Sequence, residues 1–315
     1  MAQDSLYIYF PIVFDLVKPW GPYLITTLVR LPKSTFSPID DLFDYDADDD
    51  GDTPDGTGAG ALGFLTVRNG NVYFVSDDFW YRVQLEILRV SSSGTNNVNN
   101  VISLANISDF SQVVHSVTGL TTDSSHVYWI QATSGGSVIR SMPLAGGSWS
   151  TIATLPGVAT SLVVHTTGAG ETYMFWLEVD IFTSSKYLKM RNPQTQISIL
   201  VQAGPSDQGS VNVPNWYSYA TRALAADDTY VYFFRSGPDP NGDDHVARVP
   251  YKVSADIQVF QYATTSTPQA IVVDNTHVYW TDLGISSGCG TVKRVAKPEG
   301  GTSSKPWIPL LLLDD

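Results

Sequence analysis

The sequence predicts an all-β chain, a six-bladed β-propeller of four-stranded antiparallel blades forming a single domain over 1–315. Three observations lead there. A short aromatic phrase recurs, most fully as His126-Val127-Tyr128-Trp129 and His277-Val278-Tyr279-Trp280. Its looser copies are Ile8-Tyr9-Phe10, Val72-Tyr73-Phe74, Met174-Phe175-Trp176 and Val231-Tyr232-Phe233. The last position of each copy falls at 10, 74, 129, 176, 233 and 280, a spacing that suits six units of four short strands. Helical periodicity is absent throughout.

The first unit opens on its second strand, Asp4-Ser5-Leu6-Tyr7-Ile8-Tyr9-Phe10, and lacks an inner one. At the far terminus Leu311-Leu312-Leu313-Asp314-Asp315 has the form of the inner strand Ala223-Leu224-Ala225-Ala226-Asp227. The C-terminal strand is therefore expected to complete the first blade and close the ring, which removes an open edge. The competing placement makes 307–313 an outer strand of the sixth blade.

The second unit gives strands at 65–67 and 87–90 around its phrase. In the third, Gly119-Leu120-Thr121-Thr122-Asp123 reads as the inner strand, 126–131 as the second, 136–140 as the third and 150–154 as the fourth. Pro143-Leu144-Ala145-Gly146-Gly147 is the turn between the last two. The fourth unit repeats the order at 161–165 and 187–191, and the fifth at 223–227 and 245–250. In the sixth, 270–274, the phrase and Gly290-Thr291-Val292-Lys293-Arg294 precede the turn Pro298-Glu299-Gly300-Gly301.

Tyr279-Trp280-Thr281-Asp282, followed by Gly290-Thr291-Val292-Lys293-Arg294 and Gly300-Gly301, resembles the YWTD repeat of low-density-lipoprotein-receptor class B propellers. Bacterial six-bladed propellers of the same repeat type look closer still. The resemblance spans nearly the whole chain, and the third and sixth units carry it most cleanly. It implies protein recognition without chemistry, although related six-bladed folds include lactonases, lyases and lectins.

The chain holds 31 acidic and 18 basic residues, for a net charge of −13. That balance argues against a nucleic-acid backbone or an anionic membrane as partner and favours a cation. No apolar run approaches a membrane-spanning length. The lone cysteine, Cys289, allows no internal disulfide. No signal peptide is visible at the N-terminus, which leaves the compartment open between cytoplasm and export.

Asp46, Asp48, Asp50 and Asp52 alternate, with Gly51 among them and Asp55 close behind. Calcium takes six to eight oxygens in a flexible loop, and alternating carboxylates around a glycine supply them. The pattern resembles EF-hand and thrombospondin-type loops, with Thr57 at the twelfth position in place of the bidentate Glu. A solvated acidic insertion is the alternative. Gly58-Ala59-Gly60-Ala61-Leu62-Gly63 matches a dinucleotide fingerprint by letters, but no helix follows to receive a pyrophosphate.

Trp129, Trp176 and Trp280 belong to the repeat phrase and are expected in the core. Trp20, Phe79, Trp80, Tyr81, Trp216, Tyr217 and Tyr219 do not. They fall in loops joining second to third strands or fourth to first, which open on one propeller face beside the aspartate-rich stretch. Aromatics among Asp and Asn suit sugar rings and protein hot spots alike. His126 and His277 hold one repeat position, which points to structure. His115 and His245 remain as acid–base candidates. Asp123, Asp227, Asp274 and Asp315 recur where each unit turns and are expected to make Asx-turns.

The chain is thus expected to be a non-catalytic module binding a protein or glycoconjugate, with calcium ordering one loop. The alternative is a lyase or lactone hydrolase acting in a central channel.

Overall fold

β-Branched and aromatic residues at alternate positions suit a pleated, half-buried surface, and each copy of the aromatic phrase forms the second strand of a sheet. The computed structural model describes residues 2–3, 7–18, 21–32, 34, 40–46, 61–78, 84–91, 102–106, 117–203, 223–236, 244–253, 256–264, 267–283 and 290–297. Every regular element among them is a β-strand. The first sheet contains β1 (Ala2–Gln3), β2 (Tyr7–Lys18), β3 (Gly21–Pro32) and β4 (Asp40–Asp46). The second contains β5 (Ala61–Arg68), β6 (Asn71–Asp78), β7 (Gln84–Ser91) and β8 (Ile102–Asn106). The third contains β9 (Val117–Thr122), β10 (His126–Thr133), β11 (Gly136–Pro143) and β12 (Ser150–Leu155).

The fourth sheet contains β13 (Val158–Thr166), β14 (Thr172–Val179), β15 (Lys186–Arg191) and β16 (Ile197–Ala203). The fifth contains β17 (Leu224–Ala226), β18 (Tyr230–Ser236), β19 (Asp244–Pro250) and β20 (Gln258–Thr264). The sixth contains β21 (Thr267–Val273), β22 (His277–Leu283) and β23 (Gly290–Ala296), three strands among the described residues. All six sheets keep sequence order. The molecule is an all-β, propeller-like assembly of meander sheets.

The first sheet departs from expectation. Ala2 pairs with Tyr9 and Gln3 with Ile8, so the inner edge of β2 carries an N-terminal strand where the sequence left a gap. Two residues hold neither the aromatic phrase nor an alternation, which is why the repeat pattern missed them. The C-terminal leucines, to which ring closure was assigned, lie outside the described residues.

The chain divides after Thr154 into two compact units. In the first, β5 lies beside β1 and β9; in the second, β17 lies beside β13 and β21. Thr66 and Thr122 hydroxyls, 3.0 Å apart, tie β5 to β9. The Ala223 amide donates to Ser161 Oγ at 3.3 Å and so fixes the start of β17 against β13. Ser161 is buried with φ 57°, at the bulge where the β13–β14 register shifts. Registers also shift where β5, β9 and β21 meet their second strands. Bulges of this kind sharpen strand twist.

One position packs the third, fifth and sixth sheets onto the sheet before each. The residue just after the third strand donates its amide to the first turn of its own sheet: Leu144 to Ser125 O, Tyr251 to Thr229 O and Lys297 to Thr276 O. Its side chain then reaches backward. Leu144 packs on the cluster containing Tyr73 and Val75 of the second sheet. The Tyr251 ring lies 4.9 Å from Tyr173 and 5.0 Å from Phe175 of the fourth. Lys297 Nζ lies 2.6 Å from Asp227 Oδ2 of the fifth and over the Tyr232 ring.

The phrase tryptophans are core, as expected: Trp129, Trp176 and Trp280 are all buried. Burying one such ring contributes on the order of 2–3 kcal/mol. Their indole N–H groups fare differently. Glu178, itself buried, accepts from Trp176 Nε1 at 3.0 Å with one oxygen and from Lys189 Nζ at 2.8 Å with the other. Gln131 occupies the same repeat position with a single oxygen, which takes Arg140 Nη1. Trp129 Nε1 is left without an acceptor among the described residues.

Candidate functional site

Each sheet has two ends. At the turn end the first strand turns into the second; at the loop end the second strand leads to the third. Asp123, Asp227 and Asp274 sit at the turn end and make the expected Asx-turns. Asp123 Oδ1 accepts from the amides of Ser125 and His126 at 2.7 and 2.8 Å, and Tyr128 Oη donates to Oδ2 at 2.7 Å. Asp227 repeats this with Thr229, Tyr230 and Tyr232, and Asp274 with Thr276, His277 and Tyr279. Burial opposes ionisation of Asp123 and Asp227, yet the donors outweigh it and hold both carboxyls below their usual range. The tyrosines respond in the opposite sense: burial and the adjacent carboxylate push Tyr279 up to about 12, and Tyr232 is raised for the same reasons.

The histidines are equally engaged. His126 Nδ1 lies 2.7 Å from Ser125 Oγ and His277 Nδ1 lies 2.8 Å from Thr276 Oγ1. His165 Nε2 meets Asp228 Oδ1 at 2.7 Å, linking the fourth and fifth sheets. His245 lies buried within β19, opposite Arg235, in the strand expected over 245–250. Asp244 begins the same strand, one residue ahead of the expected start. His115 lies outside the described residues.

The loop end is where the predicted binding segments are anchored. In the first sheet Lys18 pairs with Gly21, which places Trp20 in the β2–β3 connection, and Asp46 pairs with Ile25 toward the same end. In the second sheet Ala61 pairs with Asp77 and Asp78 with Gln84. Asp46 and Ala61, the described residues that flank 47–60, thus lie at the loop ends of the first and second sheets, as do Asp78 and Gln84, which flank 79–83. In the fourth sheet Val158, Val179, Lys186 and Ala203 share one end through successive pairs. Ala203, the last described residue before 204–222, is at that end. Within each unit the backbone thus gathers the anchors of these segments at one end. Trp20, Phe79, Trp80, Tyr81, Trp216, Tyr217, Tyr219, Asp48, Asp50, Asp52 and Asp55 themselves lie outside the described residues; Asp46 is the last residue of β4.

One exposed aromatic at the loop end is described, and sequence reasoning missed it. Phe182 is 89% exposed and Ile181 beside it 48%, in the turn from β14 to β15. The turn is rigidly built. Asp180 Oδ1 accepts from the amides of Phe182 and Thr183 at 2.8 and 2.9 Å, and the Asp180 carbonyl accepts from Ser184 N. Those two amides hold the Asp180 carboxyl below its usual range. An Asx residue starting a tight second-to-third connection was the available signal, with the aromatic two residues on.

Among the described residues no group of three or more His, Cys, Asp or Glu side chains converges as a metal site, and no helix is long and apolar enough to cross a membrane.

No protein-family model matches the chain, and no curated protein matches it. Solved structures do. A puromycin-hydrolyzing peptidase of Mycobacterium tuberculosis aligns with a TM-score of 0.54 at 12% identity, over 96% of this chain and 44% of its own. A mutant puromycin hydrolase complexed with PGG gives 0.51 at 14% identity, over 93% and 44%. A putative TolB from Agrobacterium tumefaciens gives 0.48 at 9% identity, over 82% and 84%. The chain spans less than half the length of the two hydrolases. At such identities the likeness shows a shared β-rich, propeller-like fold and nothing of activity.

Proposed function

We propose that the chain is a recognition module that binds a protein or a glycoconjugate through its loop ends. Trp20, Trp80 and Tyr81 are the contacts on the first unit, and Trp216 and Tyr217 on the second. Phe182 joins them. The observation that carries this is the Phe182 turn: an apolar ring held in solvent by a preformed hydrogen-bonded turn costs solubility and loses little entropy on binding. The engagement of Asp123, Asp227, Asp274, His126 and His277 in turn architecture supports recognition over the alternative, a lyase or lactone hydrolase of the central channel.

Calcium held by Asp46, Asp48, Asp50, Asp52 and Asp55 would order residues 47–60 between Trp20 and Trp80. The support is the sequence spacing together with the anchoring of that segment at both loop ends. The membership in YWTD-type propellers with six closed blades that the sequence suggests belongs to the same proposal. A glycan array run in calcium and in chelator tests it, beside a melting curve of metal-free protein with millimolar calcium added. Selective glycan binding lost in chelator, with a raised melting temperature in calcium, is expected. An unchanged melting temperature rejects the calcium site.

A further inference from the structure

The outermost strand of the fourth sheet, β16, reads Ile197-Ser198-Ile199-Leu200-Val201-Gln202-Ala203. It holds no charged residue and no proline. Among the described residues it has β15 on one side and no strand on the other. Ile197 pairs with Arg191 and Ile199 with Lys189, so both isoleucines stand on one face of the sheet. They are 48% and 51% exposed, whereas Val201, beyond the bulge at Leu200, is buried. The core therefore does not account for Ile197 and Ile199. Unpaired strands are ordinarily defended by charge, proline or brevity. β4, the outermost strand of the first sheet, shows the defence: Asp40, Asp41, Asp44 and Asp46 fill four of its seven positions. β16 has none.

Charge identifies the occupant. With a net −13, two copies of this chain repel over most of their surface. The β15–β16 hairpin is one acid-free stretch among the described residues. It carries Lys186, Lys189 and Arg191 and no acid, and the nearest buried carboxylate, Glu178, is spent on Lys189 and Trp176. An uncharged strand meets less repulsion from a second copy than an acid-rich edge such as β4 does. The strand also matches itself, because Ile-Ser-Ile reads the same in both directions.

We propose that two copies of this chain associate through β16, antiparallel, about a twofold axis at Ser198. Ile197 of each copy then lies opposite Ile199 of the other, and the four side chains cover one another on one face. A single strand pair buries less than the roughly 1,200 Å² of a stable complex. The dimer is therefore weak and reversible, with a dissociation constant on the order of micromolar or above.

Two measurements on the full chain test this. In sedimentation velocity from about 1 to about 500 µM, the wild type shifts from monomer to dimer, and added salt favours the dimer by screening repulsion. Ile199→Lys stays monomeric with an unchanged melting temperature; should it fold poorly, Ile197→Thr reads the same edge. In a Cys289→Ser background, Ser198→Cys gives a disulfide-linked dimer on mild oxidation. Gln202→Cys does not, since its two sulfurs would sit about 26 Å apart along the strands. A wild type monomeric throughout, a dimer untouched by Ile199→Lys, or equal cross-linking of the two cysteine variants overturns the proposal.

Discussion

Lys297 Nζ lies 2.6 Å from Asp227 Oδ2, and this contact joins the end of the sixth sheet to the first turn of the fifth. Both side chains are largely buried, and Asp227 also anchors its own Asx-turn. Removing one partner strands the other charge. Lys297→Met is expected to lower stability by about 2–3 kcal/mol in urea denaturation. Asp274→Asn keeps an oxygen for the two turn amides but removes the one that accepts from Tyr279 Oη, and is expected to cost about 1 kcal/mol.

The same carboxylates set the acid limit. Asp123 and Asp227 are held below their ordinary values when folded, so the unfolded chain takes up protons first as pH falls. Their contribution is present above the ordinary carboxyl pKa and is lost as pH drops through the folded one. Melting temperature should fall steeply below about pH 4. Asp227→Asn should flatten that slope while starting from a lower plateau.

At the other extreme, Tyr279 is raised from 10.0 to about 12 in the fold. Its stabilisation is complete below its unfolded pKa and is lost as pH rises from there through the folded value. Tyr279→Phe should lower stability at neutral pH by about 1 kcal/mol, for the lost hydrogen bond to Asp274. The difference from wild type should shrink as pH passes 10 toward 12, measured by urea titration at fixed ionic strength.

Glu178 and Gln131 give a reciprocal pair. Glu178→Gln leaves one oxygen for two donors, Trp176 Nε1 and Lys189 Nζ, and should destabilise by about 2–3 kcal/mol. Gln131→Glu supplies the second oxygen that Trp129 Nε1 lacks and gives Arg140 an ionic partner. Its denaturation midpoint should rise.

Much of this was legible in the chain itself, because the second strand of each unit is nearly autonomous in its pattern. Val127, Tyr128 and Trp129 bury through side-chain chemistry visible in the letters, and so do Val278, Tyr279 and Trp280. The turn aspartates were readable for the same reason, since an Asx-turn is satisfied within five residues. Long-range pairing was not. Nothing local marks Ala2–Gln3 as a strand; its partner supplies the order. β20 carries no repeat signature and is defined by its pairing with β19. The backward-reaching side chains of Leu144, Tyr251 and Lys297 share a position but no residue type. Phe182 escaped notice because exposure depends on how its turn is built, and Phe gives no hint of that.

The central claim is that the loop ends bind and do not hold the fold together. It is tested most directly by the Trp80→Ala, Trp216→Ala double variant, with glycan-array binding and thermal melting measured on one preparation. The account predicts loss of the wild-type binding pattern at an unchanged melting temperature. Melting lowered by several degrees, or binding retained in full, would contradict it.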